Sequence, residues 1–137
     1  MLFRSSDLER LRAFRETARL ELDPQTPVLL GYYDPLRRAF SNILRNAAEA
    51  CDGHGELEIV ATPHNGHGVQ IEIRDHGPGV SPDIAQRIFD PYCTGKPGGT
   101  GLGLALVKQT IEMHGGSIEL TNTPGGGATF VVRMGAP

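Results

Sequence analysis

Twelve of the chain's 18 glycines fall between Gly77 and Gly127, and this clustering constrains the fold more than any other feature. A stretch punctuated so often is divided into short elements, because glycine marks turns, caps and close backbone approaches. Glycine and proline together supply 28 of the 137 residues, about a fifth, against an ordinary share of ~12%. There is no Gly-X-Y period and no low-complexity run, so neither collagen nor a flexible linker explains them. The length bounds the chain to one domain with one ordinary core, taken here as residues 1–137.

The bulk numbers mostly exclude. The net charge is −3 with no basic block, which speaks against an extended nucleic-acid surface. No apolar stretch approaches the ~18 residues a membrane helix needs, so no membrane contact is expected. Met1-Leu2-Phe3-Arg4-Ser5-Ser6 lacks the apolar region of a signal peptide. Cys51 and Cys93 have no C-x-x-C spacing, which disfavours a zinc site or disulfide framework and points to a reducing cytoplasm.

Ser6-Asp7-Leu8-Glu9 has the form of a capping box, and Leu8, Leu11, Phe14 and Ala18 follow at helical spacing, predicting a helix over about 7–18. Arg19–Leu22 and Val28–Tyr32 read as strands. Asp34-Pro35 is a strong helix start, and the periodicity carries that helix to about Ala50. Leu57–Thr62 and Val69–Asp75 form a predicted hairpin. Ser81-Pro82 opens a short helix to about Phe89, 90–100 is a loop, and 101–114 is a helix ended by Gly115-Gly116. Ser117–Asn122 and Ala128–Met134 make a second hairpin. Strands and helices are mixed without strict alternation, so the class is α+β, one sheet with helices against it.

Three places carry chemistry. On the 35–50 helix, Leu36, Phe40, Ile43, Leu44 and Ala47 form the core stripe, while Asn42, Asn46 and Glu49 cluster in a separate arc. A solvated face is the plain reading, yet asparagine is a poor helix former. Two asparagines one turn apart with a carboxylate beside them would present oxygens to a hard cation such as Mg²⁺, which is usually shared with substrate phosphates. Asp75 falls in phase with the apolar residues of its strand, so its carboxylate points to the core side and needs a partner. It either caps the following turn or awaits a ligand donor such as an exocyclic amine, and His76-Gly77-Pro78-Gly79 would let a flat ring approach the backbone. Finally, Lys96-Pro97-Gly98-Gly99-Thr100-Gly101-Leu102-Gly103-Leu104 runs bare backbone into a helix N-terminus, an anion site to which Lys96 adds a charge. The alternative there is a simple hinge. Neither G-x-x-x-x-G-K-S/T nor G-x-G-x-x-G is present.

Together these segments resemble the ATP-binding catalytic domain of sensor histidine kinases, in the ATPase superfamily shared with DNA gyrase, Hsp90 and MutL. Phe40–Ala50 resembles the asparagine box, Asp75-His76-Gly77-Pro78-Gly79 the first glycine box, and Phe89–Lys96 the F-x-P-F-x-T-x-K segment. Gly99-Thr100-Gly101-Leu102-Gly103-Leu104 resembles the second glycine box, and Gly125–Phe130 the last. The resemblance covers roughly residues 20–134. It implies a two-layer sandwich, with a mixed, largely antiparallel sheet of about five strands carrying about three helices on one face.

The resemblance also implies a site for ATP and Mg²⁺. Asn46 would coordinate the metal, with Asn42 near the phosphate tail and Glu49 beside them. Asp75 would accept the adenine amino group, and Gly77 and Gly79 would let the ring lie on backbone. Lys96 would reach the terminal phosphates from a mobile lid that includes Tyr92 and Thr94. Gly99, Gly101 and Gly103, with Thr100, Leu102 and Leu104 in the same box, would turn backbone N–H groups to phosphate oxygens. Thr129 would join a water-mediated adenine contact. Two positions depart from the pattern around the lid, Tyr92 and Cys93. A third, Ala128, stands where many members have a hydroxyl residue.

Hydrolysing relatives carry a glutamate four residues before the metal asparagine. Asn42 occupies that place and cannot act as a base at neutral pH. The γ-phosphoryl group is then kept for a histidine on another domain. None of His54, His64, His67, His76 and His114 stands in the His-Asp/Glu-x-x-x-Pro context of a phosphoacceptor. The expected partners are therefore an external phosphoacceptor histidine domain and, downstream, a response regulator, with this piece monomeric. The asparagine box and T-x-K segment look more like the nitrogen-regulation type of kinase than the osmosensor type. Alternatives with the same fold are an anti-sigma-factor serine kinase and a non-catalytic ATP-binding module.

Overall fold

The computed structural model describes residues 18–23, 31–50, 57–65, 68–92, 103–123 and 126–135. In chain order the elements are β1 (Ala18–Leu22), α1 (Tyr33–Ala50), β2 (Leu57–His64), β3 (Gly68–Arg74), α2 (Pro82–Arg87), α3 (Gly103–Met113), β4 (Ser117–Asn122) and β5 (Ala128–Met134). The expected helix over 7–18 lies outside the described residues except at Ala18, which is the first residue of β1 and not a helix end. Of the expected strand 28–32, only Gly31 and Tyr32 are described, as a bend and a single bridge residue before α1.

The five strands form one sheet in the order β1-β2-β3-β5-β4. Four of them, β2, β3, β5 and β4, are antiparallel to their neighbours, and β1 joins the edge parallel to β2 from Ala18↔Leu57 to Leu22↔Ala61. The mixed, largely antiparallel sheet is the expected one. The β2–β3 hairpin turns through Asn65 at φ 48, a left-handed position that asparagine tolerates better than most residues. The central pair, β3 with β5, joins segments far apart in sequence, with Ile73 opposite Phe130 and Arg74 opposite Thr129.

Period-two alternation sorts the sheet into two faces. Leu57, Ile59, Ala61, Val69, Ile71, Ile73, Phe130, Val132 and Met134 are buried in one core with Leu36, Phe40, Ile43 and Ala47 of α1 and Leu104, Val107 and Ile111 of α3. Each such large side chain contributes about 1.5–3 kcal/mol through removal from water. The opposite face is knitted by polar and charged pairs within and between strands. Arg74 reaches Glu72 at 2.6 Å and Glu58 at 3.9 Å, while Arg133 bonds Glu119 and Gln70, each at 3.0 Å. α2 buries no residue of its own and stands against β4.

The helix ends follow their sequence signals. Ser81 caps α2 by accepting from Ile84 N–H at 3.3 Å, with Pro82 beginning the helix. Gly115 at φ +76 ends α3, where its N–H bonds the Glu112 carbonyl and the Gly116 N–H that of Ile111, both at 2.9 Å. That pair of bonds satisfies the last carbonyls of the helix.

Candidate functional site

Asp75 follows β3 directly and keeps the phase of Val69, Ile71 and Ile73, so its side chain enters the core side and is 2% exposed. Its N–H donates to the Ala128 carbonyl at 2.9 Å, extending the β3–β5 ladder by one step. Its Oδ1 accepts from Gly77 N–H at 2.9 Å and from Ala128 N–H at 3.0 Å. Of the two alternatives the sequence leaves open, the turn cap is the one these bonds form. The carboxylate closes the turn with one oxygen, and among the described residues Oδ2 takes no donor.

Asp75 lines a cavity of about 410 Å³. The loop after it and α2 supply Gly79, Val80, Ile84 and Ile88, the sheet supplies Leu120, Ala128 and Phe130, and α3 supplies Leu104. Asn46 and Glu49 close the α1 side. Apart from Asp75, Asn46 and Glu49 the lining is apolar side chain or glycine, which suits a flat, mostly apolar group with one polar edge. Phe130 is held edge-on by Phe89, with ring centroids 6.2 Å apart.

Two glycines of this region are required by protein packing. A Cβ on Gly127, at φ +91, would lie 2.0 Å from the Asp75 carbonyl oxygen. A Cβ on Gly79, at φ +80, would lie 2.7 Å from Asn122 Oδ1 and 3.2 Å from the Gly127 carbonyl oxygen. Here bare backbone lets the β4–β5 turn and the loop over 76–81 close around Asp75. Gly103 differs, since no described atom lies within 4 Å of where its Cβ would be.

On α1, Asn46 Nδ2 donates to the Asn42 carbonyl at 2.8 Å, which fixes the Asn46 side chain against its own helix. Asn42 does not line the cavity, and its Oδ1 faces the Arg45 guanidinium at 3.5 Å. Gly77 serves through its N–H to Asp75, and Leu104 is buried against the cavity. Thr129 does not line the cavity. It points to the other face of the sheet, away from its neighbours Ala128 and Phe130, and its hydroxyl bonds that of Thr123. Tyr92 is 76% exposed at φ 65 and is not part of the lining. Thr94, Lys96, Gly99, Thr100, Gly101 and Leu102 lie outside the described residues.

The sequence reading passed over much of the wall. Val80, Ile84 and Ile88 recur at a helical spacing of four, a signal that was available. Leu120 and Phe130 are in phase with their strands and read simply as core. Asn122, which bonds the Val80 backbone from the end of β4, carries no local signal.

An apolar slot with a buried carboxylate at its inner end, flanked by an asparagine helix and a helix opening on glycine, defines an ATPase domain of a recognisable class. The chain belongs to the family described as histidine kinase-, DNA gyrase B- and HSP90-like ATPase, which it matches over residues 31–137, and ATP binding goes with that family. Within it the similarity falls on sensor kinases. The chain is 39% identical over 117 residues to the sensory histidine kinase/phosphatase NtrB of Rhodobacter capsulatus, covering 77% of this chain and 33% of that protein. It is 40% identical over 101 residues to the sensor histidine kinase ZraS of Escherichia coli, covering 74% of this chain and 22% of that protein. Its fold matches the solved mycobacterial sensor histidine kinase MprB with a TM-score of 0.77 at 28% identity, covering 96% of this chain and 91% of that one. The chain thus spans a third or less of the length of these two curated relatives. Among the described residues no helix is long and apolar enough to cross a membrane.

Proposed function

We propose that this chain, as a single domain over 1–137, is the ATP-binding catalytic domain of a sensor histidine kinase. In this reading it holds ATP while a histidine on a separate phosphoacceptor domain takes the γ-phosphoryl group. The observation that carries the reading is Asp75, a carboxylate 2% exposed that spends Oδ1 on two backbone donors and leaves Oδ2 without a donor among the described residues, in an apolar cavity. An anion so buried calls for a donor on the ligand, and the exocyclic amine of adenine is one. Gly79 and Val80 would lie along the ring.

The other end of the cavity suits the triphosphate. Asn46 and Glu49 stand at its edge, and asparagine oxygen is a ligand that Mg²⁺ accepts while sharing phosphate oxygens. Gly103, free of close described neighbours, would let backbone N–H groups at the start of α3 face phosphate. In the stretch outside the described residues, Lys96, Thr94, Gly99, Thr100, Gly101 and Leu102 would complete that end, with Tyr92 leading into it. Thr129, expected in a water-mediated adenine contact, has its hydroxyl on that of Thr123. Asn42, in the place of a hydrolytic base, has no proton-accepting group at neutral pH. The domain's work is then positioning and charge neutralisation.

The partners in this reading are the phosphoacceptor histidine domain and a response regulator beyond it, the setting is cytoplasmic, and the piece alone is monomeric. The test combines the chain, radiolabelled ATP, Mg²⁺ and a separately produced phosphoacceptor domain. Label that appears on the acceptor, survives base and is lost in acid supports the reading. No ATP binding by calorimetry, or label stable to acid, overturns it.

A further inference from the structure

Gly79 and Val80 line the cavity together with Asp75, yet they belong to no helix or strand. Among the described residues, their only hydrogen bonds run to one side chain. Asn122 Oδ1 accepts from Val80 N–H and Asn122 Nδ2 donates to the Val80 carbonyl, each at 2.9 Å. The amide thus copies the paired bonds of an antiparallel ladder, using a side chain in place of a strand. It does so from the last residue of β4, opposite Ala128, which lines the same cavity. The loop sits tightly on it, since a Cβ at Gly79 would come 2.7 Å from Asn122 Oδ1. From Val80 the chain passes directly to Ser81, the cap of α2, so one tether sets both the loop and the helix behind it.

We infer that Asn122 is a positioning residue for the base end of the site: it fixes the width of the slot between Asp75 and Val80 without touching the ligand. The inference rests on the nucleotide reading above. It requires a side chain that both donates and accepts. Asn122→Leu keeps the shape and loses both bonds, while Asn122→Asp keeps an acceptor for Val80 N–H but sets a carboxylate against the Val80 carbonyl.

The test measures Mg-ATP, Mg-ADP and Mg-tripolyphosphate binding to the full chain by calorimetry, and transfer to an added phosphoacceptor domain. Asn122→Leu should weaken ATP and ADP about tenfold, the scale of two partly exposed hydrogen bonds, with tripolyphosphate affinity unchanged. In transfer, KM for ATP should rise by the same factor and kcat should hold. Asn122→Asp should fall between, and it carries the test if the leucine variant does not fold. Unchanged ATP affinity in both variants overturns the inference, as does an equal loss for ATP and tripolyphosphate, which would mark general unfolding. An Asp75→Asn control separates this from the larger reading. If the wild type binds ATP, the control loses it and the Asn122 variants do not, only the inference fails; if the wild type does not bind ATP, the nucleotide reading fails with it.

Discussion

At the inner end of the cavity Asp75 is 2% exposed and Ala128 4% exposed, and the neighbouring backbone is held in place by Gly127 and Asn122. At the α1 end Asn46 is half-buried and Glu49 exposed, and the Asn46 amide donates to the Asn42 carbonyl one turn back on its own helix. One end is formed by protein packing on protein, where every element constrains the next. The other is a helix surface that presents side chains outward. Substitutions at the first end should disturb the fold and the ligand in separable ways, whereas those at the second should register mainly when ligand is present.

The largest effect is expected at Gly127. Alanine there must adopt φ +91 and place a Cβ 2.0 Å from the Asp75 carbonyl oxygen. Neither backbone can yield without breaking the β3–β5 ladder, so Gly127→Ala should cost about 3 kcal/mol or more of stability, read by thermal or urea unfolding. Gly103 is the counterpart at the other end. Its Cβ would meet no described atom within 4 Å, and alanine favours a helix over glycine by roughly 0.5–1 kcal/mol. Gly103→Ala should therefore unfold no earlier than the wild type while binding ATP more weakly. Equal stability losses in the two variants would erase the contrast between the ends.

Asp75→Asn comes next, and it divides one residue into two roles. The amide oxygen can still accept from Gly77 and Ala128 N–H, so the fold should hold. The atom facing the cavity becomes a donor, and ATP affinity should fall by about 1.5–3 kcal/mol, the worth of a hydrogen bond to a charged group. Calorimetry together with a melting curve reads both. A large fall in melting temperature would mean that the carboxylate charge belongs to the fold and not to the ligand.

This division explains what the sequence revealed and what it hid. The phase of Asp75 with Val69, Ile71 and Ile73 was legible because a strand's side chains alternate, and the α1 stripe was legible because a helix repeats. The same arithmetic, applied along β5, separates Ala128 from Thr129 and places the threonine on the far face with Thr123. Gly127 and Asn122 were not legible in this way. Their partners, Asp75 and Val80, are brought to them by the β3–β5 pairing and the β4–β5 hairpin, and no local period encodes a contact across that distance. At Gly127 the backbone is kept bare for another part of the protein, the Asp75 carbonyl.

At the α1 end, Asn46→Ala loses the bond to the Asn42 carbonyl, a loss that the better helix propensity of alanine partly offsets. ATP affinity with Mg²⁺ present should fall about tenfold, the scale of one lost polar contact near charge, and affinity in chelator should not change. A fall of equal size in chelator would remove Asn46 from the metal and assign it to the phosphates directly.

The smallest effect should come from a residue remote from both ends that ties their helices together. His114 Nδ1 lies 2.7 Å from the Thr110 carbonyl, and its Nε2 lies 3.1 Å from Tyr32 N–H. A carbonyl only accepts and a peptide N–H only donates, so the ring must carry its proton on Nδ1 and accept at Nε2. Tyr32 is also the residue whose carbonyl accepts from Leu36 N–H at 3.1 Å in the first turn of α1. One imidazole thus joins the end of α3 to the start of α1, the two helices that contribute Leu104, Asn46 and Glu49 to the cavity, with the Tyr32 ring set edge-on at 5.9 Å. His114→Ala should cost about 1 kcal/mol of stability, since both bonds are partly open to water. His114→Gln should recover part of it, because its carbonyl oxygen can reach Tyr32 N–H although it cannot also donate to Thr110. If the glutamine variant is no more stable than the alanine one, the Tyr32 bond carries nothing, and the two helices are held together by their apolar stripes alone.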